Sequence, residues 1–195
     1  MLSRFGNIHL ISARTKEVVK SVKMNETCHS LRFSRDGSQL FSIGEGGEVY
    51  IWDARNYDCL HKFIDDGCLQ GTALDVSSSH LATGSSSGVV NIYNVNTLTS
   101  SAKPRPEKAI LNLTTQIDNI RFNPSGEMLA MSSISKDTAV KIVHLQTLTV
   151  FQNFPGTFSL GRVNSLAFSP GGGYMAIGNN KGAANLYRIN HYNNY

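Results

Sequence analysis

Five short segments of the chain share an alternating pattern of apolar and polar residues. Each opens with a small residue, usually glycine, and then places an apolar residue at every second position, as in residues 47–52. Alternation with a period of two predicts a β-strand with one buried face. The central apolar residues of the five predicted strands are Leu10, Ile51, Ile92, Ile142 and Leu186, and we expect the last four to be buried.

The spacing of these central residues indicates the architecture. Leu10 and Ile51 are 41 residues apart, and the following steps are 41, 50 and 44 residues. A repeat of about 40–45 residues is typical of a four-stranded blade of a β-propeller. The long step contains a polar, proline-containing stretch over residues 96–108, which predicts an inserted loop.

A second apolar element precedes four of the five strands and extends the repeat. It ends at Phe33, Leu74, Phe122 and Phe168. Three of these ends are followed by sequences with Ser or Asn first and Gly last, which suit a type I turn, at residues 34–37, 123–126 and 169–172. Each repeat also has an outer fourth strand, as over residues 59–63, and no helix is predicted because Gly, Ser, Thr and Asn interrupt every helical window.

The predicted fold is therefore all-β, a β-propeller of about four and a half four-stranded blades over residues 1–195. The half blade is predicted over residues 5–27, and the four blades that follow over residues 28–67, 68–115, 116–161 and 162–195. A propeller covers each blade with its neighbour by closing a ring. We expect this chain to be too short to close the ring by itself.

Charge and hydropathy narrow the range of partners. The chain carries 18 Lys and Arg against 14 Asp and Glu, for a net charge of +4, and the basic residues form no run of four. This balance permits contact with nucleic acid without requiring it. No apolar run approaches the roughly 20 residues that span a bilayer, so no membrane association is expected.

The cysteines predict neither a disulfide framework nor a metal site. Cys28, Cys59 and Cys68 are an odd number at irregular spacing, which is typical of a reducing compartment. Cys59 with His61, and Cys28 with His29, are the only pairs resembling metal ligands, and structural zinc needs four ligands. We expect no metal and no other cofactor.

Two glycine-rich segments resemble catalytic or nucleotide-binding motifs. Residues 84–88 fit the G-x-S-x-G pattern, but a nucleophile elbow needs a helix after it and a strand pattern follows. Residues 44–47 form a glycine-rich loop, again without the helix whose N-terminal amides would bind a phosphate. Both segments are interpreted as hairpin turns. We expect no enzyme, and a propeller hydrolase remains the alternative from that class.

Three cations in the predicted insertion are the candidate contact residues. Lys103, Arg105 and Lys108 lie on a proline-stiffened stretch that could reach a phosphate backbone or an acidic partner. The alternative interpretation is a solvated connector. The aromatic and amide side chains of residues 191–195 could stack on unpaired bases or pack over the last blade.

Residues 33–37 and 49–53 together resemble a WD40 repeat, with the Trp-Asp pair at Trp52 and Asp53. The pair is replaced elsewhere by Tyr93-Asn94, Val143-His144 and Tyr187-Arg188, and the Gly-His dipeptide of such repeats is absent. We therefore do not expect every blade to contain the hydrogen-bonded side chains that usually rigidify such blades.

A closer resemblance runs over nearly the whole chain. Residues 47–53, 88–94, 108–113, 143–145, 178–182 and 187–192 resemble the C-terminal propeller in the family of U-three small nucleolar RNA-associated proteins of the small-subunit processome. The resemblance implies a non-catalytic scaffold that supports 18S ribosomal RNA maturation in the nucleolus of the nucleus. Implied partners are other propeller proteins of the UTP-B subcomplex and pre-ribosomal or small nucleolar RNA, with no small-molecule substrate. The alternative is a substrate adaptor or protein-interaction module outside ribosome assembly.

Overall fold

A computed structural model describes residues 6–190 of the chain, which form seventeen β-strands and one short 3-10 helix. Residue 5, where the predicted half blade begins, and the tail over residues 191–195 lie outside the described residues. No helix within residues 6–190 is long and apolar enough to cross a membrane.

The strands form five antiparallel sheets, and strands that follow each other in the chain are neighbours in a sheet. The first sheet has two strands, β1 (Asn7–Ile11) and β2 (Val18–Lys23). The second sheet has four strands, β3 (Cys28–Phe33), β4 (Gln39–Gly44), β5 (Glu48–Asp53) and β6 (Cys59–Ile64). The third sheet also has four, β7 (Gly71–Val76), β8 (His80–Ser85), β9 (Val90–Asn94) and β10 (Lys108–Ile110). The fourth sheet consists of β11 (Asn119–Phe122), β12 (Met128–Ser132), β13 (Val140–His144) and β14 (Thr149–Val150). The last sheet has three strands, β15 (Val163–Phe168), β16 (Tyr174–Asn179) and β17 (Ala184–Arg188). Up-and-down sheets that stack in series are those of a propeller, so the fold is an incomplete all-β propeller, as predicted.

The three predicted tight turns are confirmed. In each turn the glycine N–H donates to the carbonyl three residues earlier: Gly37 to Ser34 at 2.9 Å, Gly126 to Asn123 at 3.0 Å, and Gly172 to Ser169 at 2.8 Å. The three glycines have φ angles of 71°, 77° and 78°, which a residue with a Cβ adopts only at a cost. These turns join the first and second strands of their sheets.

The predicted alignment of the second blade with the others is wrong by two residues. Phe33 pairs with Leu40, and the equivalent pair in the next sheet is Val76 with Leu81, so Val76 and not Leu74 takes the position of Phe33. The β7–β8 turn explains the error, because it is two residues shorter than the β3–β4 turn. It begins at Ser77, whose N–H donates to the carbonyl of His80 at 2.8 Å.

Three of the alternating strands, β5, β9 and β13, are buried on both faces, which corrects the prediction of one buried face. Four consecutive residues of β5 are buried, from Val49 to Trp52. Val49 and Ile51 pack with Leu74 and Tyr93 of the following sheet, whereas Trp52 packs with residues of the preceding sheet that include Ile8. A period of two therefore sorts side chains between two interfaces, since each blade lies between two others.

The predicted burial of the central residues is confirmed for Ile51, Ile92 and Ile142 but is wrong for Leu186. Leu186 is 68% exposed. It lies on the face of β17 that corresponds to the following-blade side, and no described residue forms a blade there. Tyr187 points the other way and makes an edge contact with Phe154 at 5.6 Å between ring centroids.

Candidate interaction surface

The insertion that follows β9 begins with a 3-10 helix over Val95–Ser100, which the sequence did not predict. Asn94 caps the helix, because its side-chain oxygen accepts the N–H of Asn96 at 3.0 Å. Leu98 is fully buried in the cluster that contains Phe63 and Tyr93, between two sheets. The start of the insertion is therefore part of the inter-blade core.

Glu107 fixes the other end of the insertion. Its N–H donates to the carbonyl of Ile92 at 2.8 Å, and its carboxylate accepts the side-chain amide of Asn94 at 3.1 Å. The second carboxylate oxygen lies 3.3 Å from Nε2 of His80. Since both ends are anchored, the stretch between them is a short loop of restricted freedom.

Lys103 and Arg105, two of the three candidate cations, lie on this anchored loop and are exposed. They line one wall of a groove of about 850 Å³, whose other wall is the end of β6 with Lys62. Lys108, the third candidate, does not line the groove; it begins β10, where it pairs with Ile92. The structure therefore brings Lys103 and Arg105 together with Lys62, and it separates them from Lys108.

Acidic residues on the same groove limit its positive potential. Glu48, Asp65 and Asp66 line the groove together with its three cations, which are Lys62, Lys103 and Arg105. Glu48 is engaged, because it accepts the Tyr50 hydroxyl at 2.8 Å and the Asn25 side-chain amide at 3.3 Å. Lys62 lies over the Tyr50 ring, 5.9 Å from its centroid. The groove therefore offers separate cationic side chains and not a continuous positive surface.

A buried carboxylate, which the strand pattern did not predict, stabilises the chain segment next to the groove. Oδ1 of Asp65 accepts hydrogen bonds from the Tyr93 hydroxyl at 2.7 Å, and from Thr83 and Asn91 at 2.9 Å each. Burial raises the pKa of Asp65, and these three donors oppose the rise. A signal was present in the sequence, because polar Thr83 and Asn91 occupy strand positions that must be buried in a blade.

The two glycine-rich segments form hairpin turns. Residues 84–88 join β8 to β9, and the Ser86 N–H donates to the carbonyl of Gln70 at 2.9 Å. In the turn at residues 44–47, the Gly46 N–H donates to the carboxylate of Glu26. The Glu26 carboxylate therefore already accepts the N–H that a bound phosphate would need.

The cysteines and acidic residues form no metal-binding group within residues 6–190. Cys28 is buried, Cys68 is half-buried and Cys59 is exposed, and all three are free thiols. Burial raises the pKa of both Cys28 and Cys68 to about 11, so neither is a reactive thiolate at neutral pH.

One stretch of the chain matches a protein-family model. Residues 16–53 match the WD domain, G-beta repeat. The match includes β2 to β5 and ends at Asp53, directly after Trp52.

Several curated proteins are similar over most of the chain. The U3 small nucleolar RNA-associated protein 18 homolog of Mus musculus is 43% identical over 194 residues, and that of Arabidopsis thaliana is 42% identical over 192 residues; each alignment covers 97% of this chain. The U3 small nucleolar RNA-associated protein 18 of Saccharomyces cerevisiae is 36% identical over 172 residues, or 78% of this chain. The alignments cover 35%, 35% and 29% of these relatives, so the chain spans about a third of their length.

Proposed function

Because this chain is homologous over 97% of its length to proteins named U3 small nucleolar RNA-associated protein 18, we propose that it is a non-catalytic WD40 scaffold that supports ribosome biogenesis. The scaffold acts in the small-subunit processome, during maturation of 18S ribosomal RNA. The similarity, which extends through all five sheets, is the observation that carries the proposal.

The stacked sheets support a scaffold role physically. Each inner sheet is held between two others by apolar clusters, so the surface loops and outer strands are displayed on a rigid frame. Such a frame binds several partners at different edges without a catalytic centre. The proposed partners are other propeller proteins of the UTP-B subcomplex and pre-ribosomal or small nucleolar RNA. The proposed location is the nucleolus.

The groove beside the insertion is the proposed contact for RNA or for an acidic partner. Lys103 and Arg105 project from a loop that is anchored at Leu98 and Glu107, so little freedom is lost when they bind. Lys62 adds a third cation on the opposite wall. Lys108 is a separate point of contact on β10.

Affinity isolation from cells tests the proposed function. The tagged chain is expressed, its complexes are crosslinked and purified, and the associated RNA is sequenced alongside mass spectrometry of the proteins. We expect enrichment of U3 small nucleolar RNA, pre-ribosomal RNA and UTP-B propeller proteins over the tag alone. Enrichment of cullin-linked proteins without ribosomal precursors would contradict the proposal and favour the substrate-adaptor alternative.

Two variants control for folding and for unspecific charge effects. Ile51→Asp places a charge in an inter-blade cluster and should abolish the enrichment. Lys181→Ala removes an exposed cation that does not line the groove and should leave the enrichment unchanged. Fluorescence microscopy of the same tagged proteins, with a nucleolar marker, tests the location.

A further inference from the structure

The innermost strands of four sheets carry a row of equivalent residues. β3, β7, β11 and β15 are the first strands of successive sheets and lie side by side. Arg32, Asp75, Arg121 and Ala167 occupy the same position in them, since each is opposite the corresponding residue of the second strand: Phe41, Ala82, Ala130 and Ala176. The row therefore lies on the inner side of the arc, where the axis of a propeller runs.

Asp75 lies between two arginines, and both of its oxygens are engaged. Oδ1 accepts the Arg32 Nε–H at 3.2 Å, and Oδ2 accepts the Phe122 backbone N–H at 2.8 Å. Asp75 is only 9% exposed. Burial raises its pKa, whereas the Phe122 N–H and the charges of Arg121 and Arg32 act in the opposite direction.

Arg121 is half-buried and, unlike Arg32, forms no hydrogen bond to the Asp75 carboxylate. Within residues 6–190, its guanidinium donates one hydrogen bond, to the carbonyl of Ile120 at 2.7 Å. Burial and the nearby charge of Arg32 lower its pKa, and only Asp75 opposes them. Guanidinium groups have five N–H donors in a planar fork, so Arg121 keeps donors that suit an oxyanion.

A third arginine closes the same region from the side of the turns. Arg35, in the β3–β4 turn, donates to the carbonyl of Pro124 in the β11–β12 turn, two sheets away. Arg35 can reach this carbonyl because the β7–β8 turn, which lies between the β3–β4 and β11–β12 turns, is two residues shorter than either of them. Asp36, next to Arg35, is held within its own turn by Ser34 and Ser38.

Arg35 and Arg121 line a cavity of about 400 Å³ on the inner side of the arc, next to the β11–β12 turn. Its other walls include Asn123, whose side chain bonds within its own turn, and the half-buried Phe168. Two arginines beside this phenylalanine, with a single fully engaged carboxylate, form a concave site that has an excess of positive charge and an apolar wall.

We propose that this cavity is a docking site for an acidic peptide segment of a protein partner, in which a carboxylate lies next to an apolar side chain. The charge of the peptide is complementary to the arginines, and its apolar side chain fits against Phe168. A nucleic-acid backbone is the poorer fit, because consecutive phosphates favour exposed cations along an open groove. The site is independent of the groove beside the insertion and of the proposed role in ribosome biogenesis.

Fluorescence anisotropy with a defined probe tests the proposal on the full chain. The probe is a labelled peptide in which glutamate alternates with phenylalanine. A matched peptide with glutamine in place of glutamate, and a labelled single-stranded oligouridine, are the comparisons. We expect the glutamate peptide to bind about tenfold more tightly than the glutamine peptide, because the latter cannot form a charge-assisted hydrogen bond.

Three variants assign the binding to the arginines. Arg35→Gln and Arg121→Gln should each weaken the glutamate peptide about tenfold, and Arg121→Lys should weaken it less. Arg55→Gln removes an exposed arginine of the β5–β6 turn and should change nothing. If Arg121→Gln fails to fold by circular dichroism, Arg35→Gln and Arg121→Lys carry the test. Equal binding of both peptides, undiminished binding by the Gln variants, or stronger arginine-dependent binding of oligouridine would each overturn the proposal.

Discussion

The indole N–H of Trp52 donates a hydrogen bond to the hydroxyl of Ser42 at 2.9 Å, between two adjacent strands of one sheet. The same indole stacks on the Tyr50 ring, with centroids 5.2 Å apart, and packs against Ile8 of the preceding sheet. The pair therefore joins β4 to β5 and also seals the interface between two sheets. Trp52 is therefore a buried residue of a blade interface.

Loss of either partner should destabilise the fold. Both residues are buried, so Trp52→Phe leaves the Ser42 hydroxyl without its donor, and Ser42→Ala leaves the indole N–H unpaired. Each change should lower the free energy of unfolding by about 1–3 kcal/mol. A urea titration followed by circular dichroism measures both, and the double variant should show a coupling of about 1 kcal/mol. Additive losses would contradict the hydrogen bond.

In the parent, this single tryptophan should resist quenching by iodide.

Equivalent strand positions should respond differently to the same charge. Ile142 is 8% exposed between two sheets, and Leu186 is 68% exposed at the corresponding place in the last sheet. Ile142→Asp should lower the free energy of unfolding by several kcal/mol, because it buries an unpaired charge. Leu186→Asp should change it by about 0.5 kcal/mol or less. Thermal melts compare the two variants, and similar shifts would show that both positions are buried in solution.

Salt dependence should reveal the contribution of the insertion to RNA binding. Lys103→Ala with Arg105→Ala should reduce the slope of log affinity against log salt by about 0.7–0.9 for each phosphate that the variant no longer neutralises. The triple variant that adds Lys108→Ala should reduce the slope by the equivalent of one further phosphate at most, since Lys108 lies outside the groove. Lys136→Ala with Lys181→Ala is the matched control for net charge. If the triple variant keeps the affinity and slope of the parent, the insertion is only a connector.

Asp65 should make the fold less stable as the pH rises. Its pKa in the folded chain is raised above the ordinary value of 3.8, so the folded state holds the proton more tightly than the unfolded chain does. The contribution of Asp65 to the free energy of unfolding is complete below its pKa in the unfolded chain. It is lost as the pH rises through its pKa in the folded chain. Asp65→Asn keeps an oxygen for Tyr93, Thr83 and Asn91 and removes the titration. The stability of this variant relative to the parent should therefore increase above about pH 4, as urea titrations at several pH values would show.

Asp65→Ala separates the titration from the hydrogen bonds. It removes the shared acceptor of the three donors at every pH, and only Asn91 keeps another, the carbonyl of Asp66 at 2.8 Å. Asp65→Ala should therefore lower the free energy of unfolding by about 2 kcal/mol or more throughout. A constant difference between Asp65→Asn and the parent across the pH range would mean that the carboxyl titrates alike in both states.

The sequence by itself determined the repeated strands, the three glycine turns and the all-β class. These features depend on local rules: alternation with a period of two, and the need for glycine where φ is positive. It also singled out Trp52 and the long step that contains the insertion. It could not place Val76, because the shorter turn after β7 moves the register and a run of apolar residues does not reveal its own partner.

The tertiary structure decided which faces are covered and which side chains meet. Alternation looks the same in β13 and β17, yet Ile142 is buried and Leu186 is exposed, because burial depends on whether a neighbouring sheet is present. Leu98 lies in a polar stretch, and only the packing of the insertion against Phe63 and Tyr93 makes it a core residue. Arg32, Asp75 and Arg121 are more than 40 residues apart in sequence from one to the next, and they come together because successive sheets repeat the same register. Long-range proximity of this kind follows from the arrangement of blades and not from any local pattern.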